Sequence, residues 1–472
     1  MDQDVTGQYV SEDAKKTPIL FDVDVAIAGG GVAGLGAAVG AARNGARVVI
    51  TEQTNCLGGA ATATMMSVLH LEYSALHGFA KEVIDRVSSM GNAAKSVVVP
   101  YDAEAFKIAA LELVHEAGAN VLLYTTAVAP LIKQNEVRGV IIESKSGRQA
   151  ILARVTIDCT GDGDIAWRAG AELVDGIGAA NKKRPMTVLF RVGGIRMNNL
   201  EEYVKTHSEE FSPNLLYSQF DRSADYVKIA GFWSIIAAAQ EAGEIDKRIH
   251  YLRFEGGVGA FSRGVLTVNS TRAYDMNPTD VRDLTRAEVE CRRQMLQILG
   301  VMQKYMPGCE SAYIVNTSEY IGIRDSRFIR GDYVLQGDDI REDRRWEDNI
   351  VRVYTHLAPG TMTHSPEGGE GSADNKYYRE QVAPLRSYSI PIRCLIPKGL
   401  KNILVAGRCI SVTSEAFEST RGQATCMNLG YAAGVAASLA VRQRASLRSI
   451  DVRELQRLLE EQGVETGARA KV

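Results

Sequence analysis

Three stretches of the chain carry a strong pattern of apolar and polar positions, and a long middle does not. Residues 23–28 are a short apolar, β-branched run that reads as a buried strand, and the turn Gly29-Gly30-Gly31 follows at once. Residues 33–43 are small and helix-compatible, and 46–50 form a second apolar strand that ends at Glu52. Between 101 and 117, Ala105, Ile108, Ala109, Leu111, Leu113 and Val114 recur at helical spacing and stop at Gly118. A strand over 121–124 follows, and the runs 137–144 and 151–157 around a polar turn at 145–148 predict a hairpin. Near the other end, 403–406 reads as a buried strand after a turn at 397–402, and 424–440 as a helix of small residues. A last helical pattern covers 452–459, and the residues after Gly463 are expected to be disordered or peripheral.

The middle is harder to read. Residues 186–192 have strand character, and 201–205 and 235–243 look helical. Residues 282–305 predict a long amphipathic helix with Val289, Met295, Leu296, Leu299 and Met302 inward. Residues 256–264 are glycine-rich, but Ser262 stands where a third glycine should be, so no second dinucleotide-binding unit is predicted. Residues 318–333 are dense in Arg324, Arg327 and Arg330 against Asp325 and Asp332, which reads as an ion-paired strand for all but Arg324. Residues 338–348 read as a charged, solvated stretch and 359–374 as an irregular loop.

Strand, glycine turn, helix, strand and acid in this register make a dinucleotide-binding βαβ unit, and each part has a mechanical reason. Gly29 permits the tight turn, Gly31 lets the backbone approach a pyrophosphate, and Gly34 lets the helix pack close on the strand. The helix start, with Val32 and Ala33, offers free N–H groups and the positive end of the helix dipole to phosphates. Glu52, next to Gln53, is placed to accept hydrogen bonds from a ribose diol. Just past it, Cys56-Leu57-Gly58-Gly59-Ala60-Ala61-Thr62 is a second glycine-bearing loop, where a longer cofactor would continue toward its reactive ring.

On these residues the chain resembles the FAD-dependent oxidoreductases of the glutathione-reductase-like (two-dinucleotide-binding) flavoprotein superfamily. Within them it looks most like a bacterial group with E…LGG…T near the start and GR…R…G near the end. The resemblance is carried by 22–62 and 391–440, with 101–165 in support, and it implies FAD. It implies backbone contacts to adenine near Val128, and Thr160 and Gly161 of the turn at 158–164 close to the pyrophosphate or ribitol. It also implies a closing strand–loop–helix, Gly407-Arg408 and then Arg421, Gly422, Gln423 and Ala424, whose first amides point at the flavin pyrimidine. There a helix dipole favours the negative charge that develops on reduction. Met65, Met66, Leu69 and Leu71, with His70, Tyr73 and His77, suggest a segment leading to or lining the flavin's reactive side.

With 472 residues, 45% of them hydrophobic and 24% charged, the chain has room for two or three domains of ordinary globular type. A net charge of −3 gives no reason to expect nucleic acid or an anionic membrane as partner. The first 21 residues lack the apolar core of a signal peptide and no apolar run reaches membrane-spanning length, so the expected compartment is the cytoplasm. The seven cysteines are scattered without metal-ligand spacing, so no metal is expected, and Cys56 reads as a packing residue, not half of a redox pair.

The expected fold is α/β, with a Rossmann-like FAD-binding domain in two parts, 22–165 and 391–445, an inserted α+β substrate or cap domain over 166–390, and a tail over 446–472. The expected function is hydride transfer between a small polar, anionic or hydroxylated substrate and flavin N5. The alternatives are a flavin-binding sensor without turnover, and an NAD-linked enzyme using the βαβ unit alone, which Glu52 and the LGG loop disfavour. Self-association is left open. Arg386 and Tyr388 are the first choice for substrate chemistry, because they immediately precede the closing part, followed by Arg324, His356 and His364. Arginine suits a carboxylate because its fork grips two oxygens, and histidine suits a hydroxyl proton because its pKa lies near working pH.

Overall fold

β1 (Ile19–Ala28) is buried from Val23 onward and lies between two parallel neighbours, β2 (Val48–Thr51) and the strand Gly147–Asp158. Parallel strands covered on both faces must be apolar on both, which is why 25–28 is a continuous apolar run, and Asp24 before it is paired with Arg47 at 3.1 Å. α1 (Val32–Arg43) makes the crossover to β2, and Asn120–Leu122 extends the sheet beyond β2 in parallel. On the other side Gly147–Asp158 pairs with Ile403–Val405 in parallel and with Glu136–Ser144 in an antiparallel hairpin, to which Thr126–Lys133 adds. The result is a seven-stranded sheet. The computed structural model describes residue 10 and residues 16–91, 93–174, 184–212, 218–359 and 385–468.

The closing helix Gln423–Gln443 packs on α1 almost backbone to backbone. A Cβ on Gly36 would lie 2.2 Å from the Met427 carbonyl oxygen, and one on Gly430 would lie 1.9 Å from that of Ala33. The small residues at both ends of the sequence therefore serve one interface. Of the described helices only Gln423–Gln443 is long and apolar enough to span a membrane, and 83% of its apolar window is buried in this packing.

A second core gathers residues between Met186 and Ile321. It is built on a six-stranded antiparallel sheet in the order Ser218–Asp221, Tyr226–Gly231, Leu252–Phe254, Leu266–Val268, Phe190–Gly193, Tyr313–Thr317. The helices Met197–Thr206, Trp233–Glu241 and Val281–Tyr305 pack against it. The glycine-rich stretch at 256–264 connects two antiparallel strands through the short helix Ala260–Arg263.

The structure corrects four readings. In Val281–Tyr305 the buried stripe is Ala287, Cys291, Met295, Ile298 and Met302, while Val289 and Leu296 are exposed. Residues 328–353 and 388–396 give their apolar side chains to the first core, not the second, through the antiparallel pair Asn349–Thr355 and Arg386–Pro391. The arginine-rich stretch is irregular chain, with Arg327 on Asp164 at 2.8 Å and Asp332 on Arg448 at 2.8 Å. After Gly463 the chain stays packed: Val464 is buried, and the Glu465 carbonyl accepts the Arg352 amide. The loop expected at 359–374 lies outside the described residues from 360 on.

Candidate active site

A cavity of about 1010 Å³ runs between the two cores. That is at or above the upper end of small-molecule pockets, roughly 300–1,000 Å³, so it has room for a cofactor and a substrate together. One end is the βαβ unit. Gly29 turns with φ +95°, and a Cβ there would lie 2.6 Å from the Cys159 carbonyl oxygen. Gly31, Val32 and Ala33 form the wall, and a Cβ on Gly31 would meet nothing within 4 Å, since it would point into the cavity. α1 starts at Gly31 without any side-chain cap, so its first N–H groups stay available to an anion.

Glu52 closes this end. Its Oε2 accepts the Gly30 amide at 2.8 Å, and its Oε1 accepts the Thr54 amide at 2.8 Å and hydroxyl at 2.9 Å. A carboxylate has about four lone-pair sites, so capacity remains for one hydroxyl from the cavity. Gln53, Gly59 and Ala60 continue the wall. Cys56 lies buried with its thiol pKa raised by burial, which is inert packing, not redox chemistry.

The facing side comes from the re-entrant turn and the closing segment. Asp158, fully buried, accepts from the amides of Ile165 and Ala166 at 2.8 Å and from the Thr160 hydroxyl at 2.7 Å. That fixes the turn, and Thr160 and Gly161 face the cavity. Gly407 follows the strand Ile403–Val405, and Arg408 reaches Asp162 at 2.8 Å; both line the cavity. The closing helix begins at Gly422 with no side-chain cap, and Arg421, Gly422, Gln423 and Ala424 are all on the wall. Arg421 is held by Glu418, which is buried and also pairs with Arg184 at 2.8 Å. Two uncapped helix starts, an open Gly31 and Glu52 fit a dinucleotide cofactor.

The remaining wall comes from the second core and the segment 66–71. Arg324 donates to the Pro185 carbonyl, to the Thr187 hydroxyl at 2.6 Å and to Asn269 Oδ1 at 3.3 Å. All three acceptors are neutral, and no carboxylate among the described residues lies within ion-pair distance of Arg324. Burial, with Arg272, Arg421 and Arg253 nearby, holds the Arg324 guanidinium well below its ordinary pKa. Arg253 pairs with Glu255 at 2.7 Å, and Glu255 also meets His70 at 3.1 Å. His356 reaches the wall from Asn349–Thr355 with Nε2 2.6 Å from Glu72.

Several expected residues lie off the wall. Gly34 faces Gly29, where a Cβ would come within 1.9 Å of the carbonyl oxygen, and Thr62 is buried with its hydroxyl donated to Leu57 at 2.8 Å. Gly58, at φ +108°, donates its amide to Gly30. These three shape the loops behind the wall. Val128 is also off it; the wall there is Thr125, Thr126 and Ala127. Tyr388 is a core residue with no exposure whose hydroxyl donates to the Ser419 carbonyl at 2.9 Å, and neither it nor Arg386 lines the cavity. His364 lies outside the described residues.

Of the segment 63–100, Met66, Leu69, His70 and Leu71 do line the cavity, whereas His77 bonds the Arg352 carbonyl elsewhere. Arg253, Glu255 and Asn269 escaped the sequence reading. The signal for the first two was present: two charged residues at i and i+2 share one face of the otherwise apolar strand Leu252–Phe254 and its end.

Among solved structures, a geranylgeranyl bacteriochlorophyll reductase-like protein from Thermoplasma acidophilum is similar at 13% identity, covering 94% of this chain and 84% of that one, with a TM-score of 0.48. A myxobacterial chondrochloren halogenase is similar at 10% identity, covering 93% and 78%, with a TM-score of 0.48. The p-nitrophenol 4-monooxygenase of Pseudomonas putida is similar at 10% identity, covering 94% and 84%, with a TM-score of 0.46. No curated protein matches the sequence. The family model described as FAD dependent oxidoreductase matches residues 24–459, nearly the whole chain. The protein belongs to the FAD-dependent oxidoreductase family, and its cofactor is FAD.

Proposed function

We propose that the protein transfers a hydride between a small anionic organic substrate and N5 of its flavin. The observation that carries this reading is Arg324, a guanidinium on the cavity wall whose acceptors are all neutral. A partly buried cation without a carboxylate is costly unless an anion completes it, and perturbed charges in a cavity point to a functional site. Arg253 and Arg421 are on the same wall, each already paired with a glutamate, which leaves Arg324 as the anchor.

The residues that would hold the cofactor are Gly29, Gly31, Val32, Ala33 and Glu52 on one side, and Thr160, Gly161, Gly407, Arg408 and Gly422–Ala424 on the other. When bound, FAD supplies a two-electron acceptor or donor. The chain binds, orients and shields. Uncapped amides at Gly31 and Gly422 meet negative charge, and Arg324 grips a carboxylate in two places. The same reading places the protein in the cytoplasm with a small molecule as its partner, and makes the first core, 22–165 with 328–353 and 388–445, the cofactor domain and the second core the substrate domain. An anaerobic screen of small organic acids, alcohols and amines for bleaching of the flavin tests it. A carboxylic acid should bleach, and bleaching only by uncharged compounds would refute the anionic substrate.

A further inference from the structure

We propose that His70 is the catalytic group that exchanges a proton with the substrate, that Glu255 is its positioning residue, and that the substrate is a hydroxy acid whose carboxylate rests on Arg324. This rests on the anionic-substrate reading above. His70 lines the cavity and keeps 31% of its side-chain surface accessible, while its Nε2 lies 3.1 Å from Glu255 Oε2. Glu255 is itself immobilised. Its carboxylate takes Arg253 Nε at 2.7 Å and Nη2 at 2.8 Å, and Asn269 Nδ2 at 2.6 Å.

A carboxylate fixed against one ring nitrogen selects the tautomer with the proton on that nitrogen and leaves the other as an acceptor. Asn269 then links base to anchor, because its Oδ1 accepts from Arg324 Nη2 at 3.3 Å. His70, Glu255, Asn269 and Arg324 thus form one hydrogen-bonded chain along the wall. A carboxylate on Arg324 would put the neighbouring carbon's hydroxyl toward the histidine end of that chain. In the oxidative direction the hydroxyl proton goes to His70, the carbon's hydrogen leaves with its electron pair to the FAD, and the C–O bond becomes C=O; reduction is the reverse.

The charges around the ring fit this role. Burial, and then the neighbouring Lys228 of Tyr226–Gly231, lower the His70 pKa to about 4, with Arg253 adding to the effect and Glu255 opposing it, so the ring is neutral at pH 7. An anion arriving at Arg324 adds negative charge nearby and raises His70 toward working pH, which couples substrate binding to basicity.

The test uses the holoenzyme with lactate, malate and mandelate as reductants and pyruvate, oxaloacetate and phenylglyoxylate as ligands in calorimetry. At least one hydroxy acid should bleach the flavin anaerobically, and its oxo acid should bind. His70→Gln should then bleach about 100-fold more slowly or worse. Its affinity for the oxo acid should change by less than about threefold, a split that a merely structural histidine would not give. Bleaching by His70→Gln within about threefold of wild type would overturn the proposal. The wild-type ring can also be read directly by nitrogen-15 NMR of labelled histidine: a proton on Nε2 supports the dyad, and one on Nδ1 overturns it even where the variant does not fold. If no probe binds the wild type, the anionic-substrate reading and the hydroxy-acid class fall, while the NMR result still decides the His70–Glu255 pair.

Discussion

The amide of Gly30 donates to Oε2 of Glu52 at 2.8 Å across 22 residues of chain, tying the glycine turn to the acid at the end of β2. Three donors converge on this carboxylate. A glutamine keeps the shape but loses the charge that strengthens the remaining acceptor site toward a ribose hydroxyl, so Glu52→Gln should weaken FAD binding about 10-fold. Flavin fluorescence on dialysis measures this, and the flavin released from wild type should be FAD, not FMN. Unchanged retention in the variant would remove Glu52 from the cofactor site.

Gly31 and Gly34 should separate binding from folding. A Cβ on Gly31 meets open cavity, so Gly31→Val should fold with a normal melting temperature as apoprotein and retain no flavin. A Cβ on Gly34 would lie 1.9 Å from the Gly29 carbonyl oxygen, so Gly34→Ala should cost about 2 kcal/mol or more by forcing the helix off the strand. Calorimetric melting with flavin content reads both, and equal behaviour of the two variants would contradict the placement.

Acid should destabilise the protein through His70. Its pKa in the folded state is lowered from 6.5 to about 4, chiefly by burial. The unfolded chain therefore binds the extra proton first, and this contribution to stability is present above pH 6.5 and lost as pH falls toward 4. Discounted for the ring's access to the cavity, the loss is on the order of 2 kcal/mol. Urea unfolding of wild type and His70→Gln between pH 7 and 4 should show a shallower decline in the variant; parallel curves would contradict it.

Arg421 and Glu418 should tune the flavin in opposite directions. Arg421 lies on the wall at the start of the closing helix, with buried Glu418 against its guanidinium. Arg421→Gln removes positive charge and should lower the reduction potential, while Glu418→Gln removes a buried negative charge beside Arg421 and should raise it. Glu418→Gln should also cost about 3 kcal/mol, because it breaks a buried ion pair. Redox titration against a reference dye checks the signs, and shifts of the same sign would place the flavin elsewhere.

The first core was legible because its signals are local. A parallel strand buried on both faces is apolar along most of its buried length, as residues 25–28 are, and Gly29, Gly31 and Glu52 lie within one supersecondary unit. The substrate side was not, because its contacts are long-range: His70 and Glu255 are 185 residues apart, and Arg324 meets Thr187 across 137. Nearness in sequence to the closing strand misled for Tyr388. Strand alternation turns its side chain into the core, where the hydroxyl is spent on the Ser419 carbonyl. In Val281–Tyr305 the buried stripe contains alanine, cysteine and methionine, a weaker apolar signal than the exposed Val289 and Leu296. The segment after Gly463 is polar by composition, yet Val464 and the Glu465 carbonyl anchor it.

Anaerobic titration of wild type and Arg324→Gln with small organic acids, followed by flavin absorbance, asks most directly whether a carboxylate is bound beside the flavin. Arg324 contributes no contact to the βαβ unit, so the variant should keep its FAD. With the anchor gone, the acid concentration needed for half-maximal bleaching should rise about 100-fold, the loss of one bidentate charge-assisted contact. Equal half-maximal concentrations in the two proteins, or bleaching of the wild type by uncharged compounds alone, would contradict the arginine anchor.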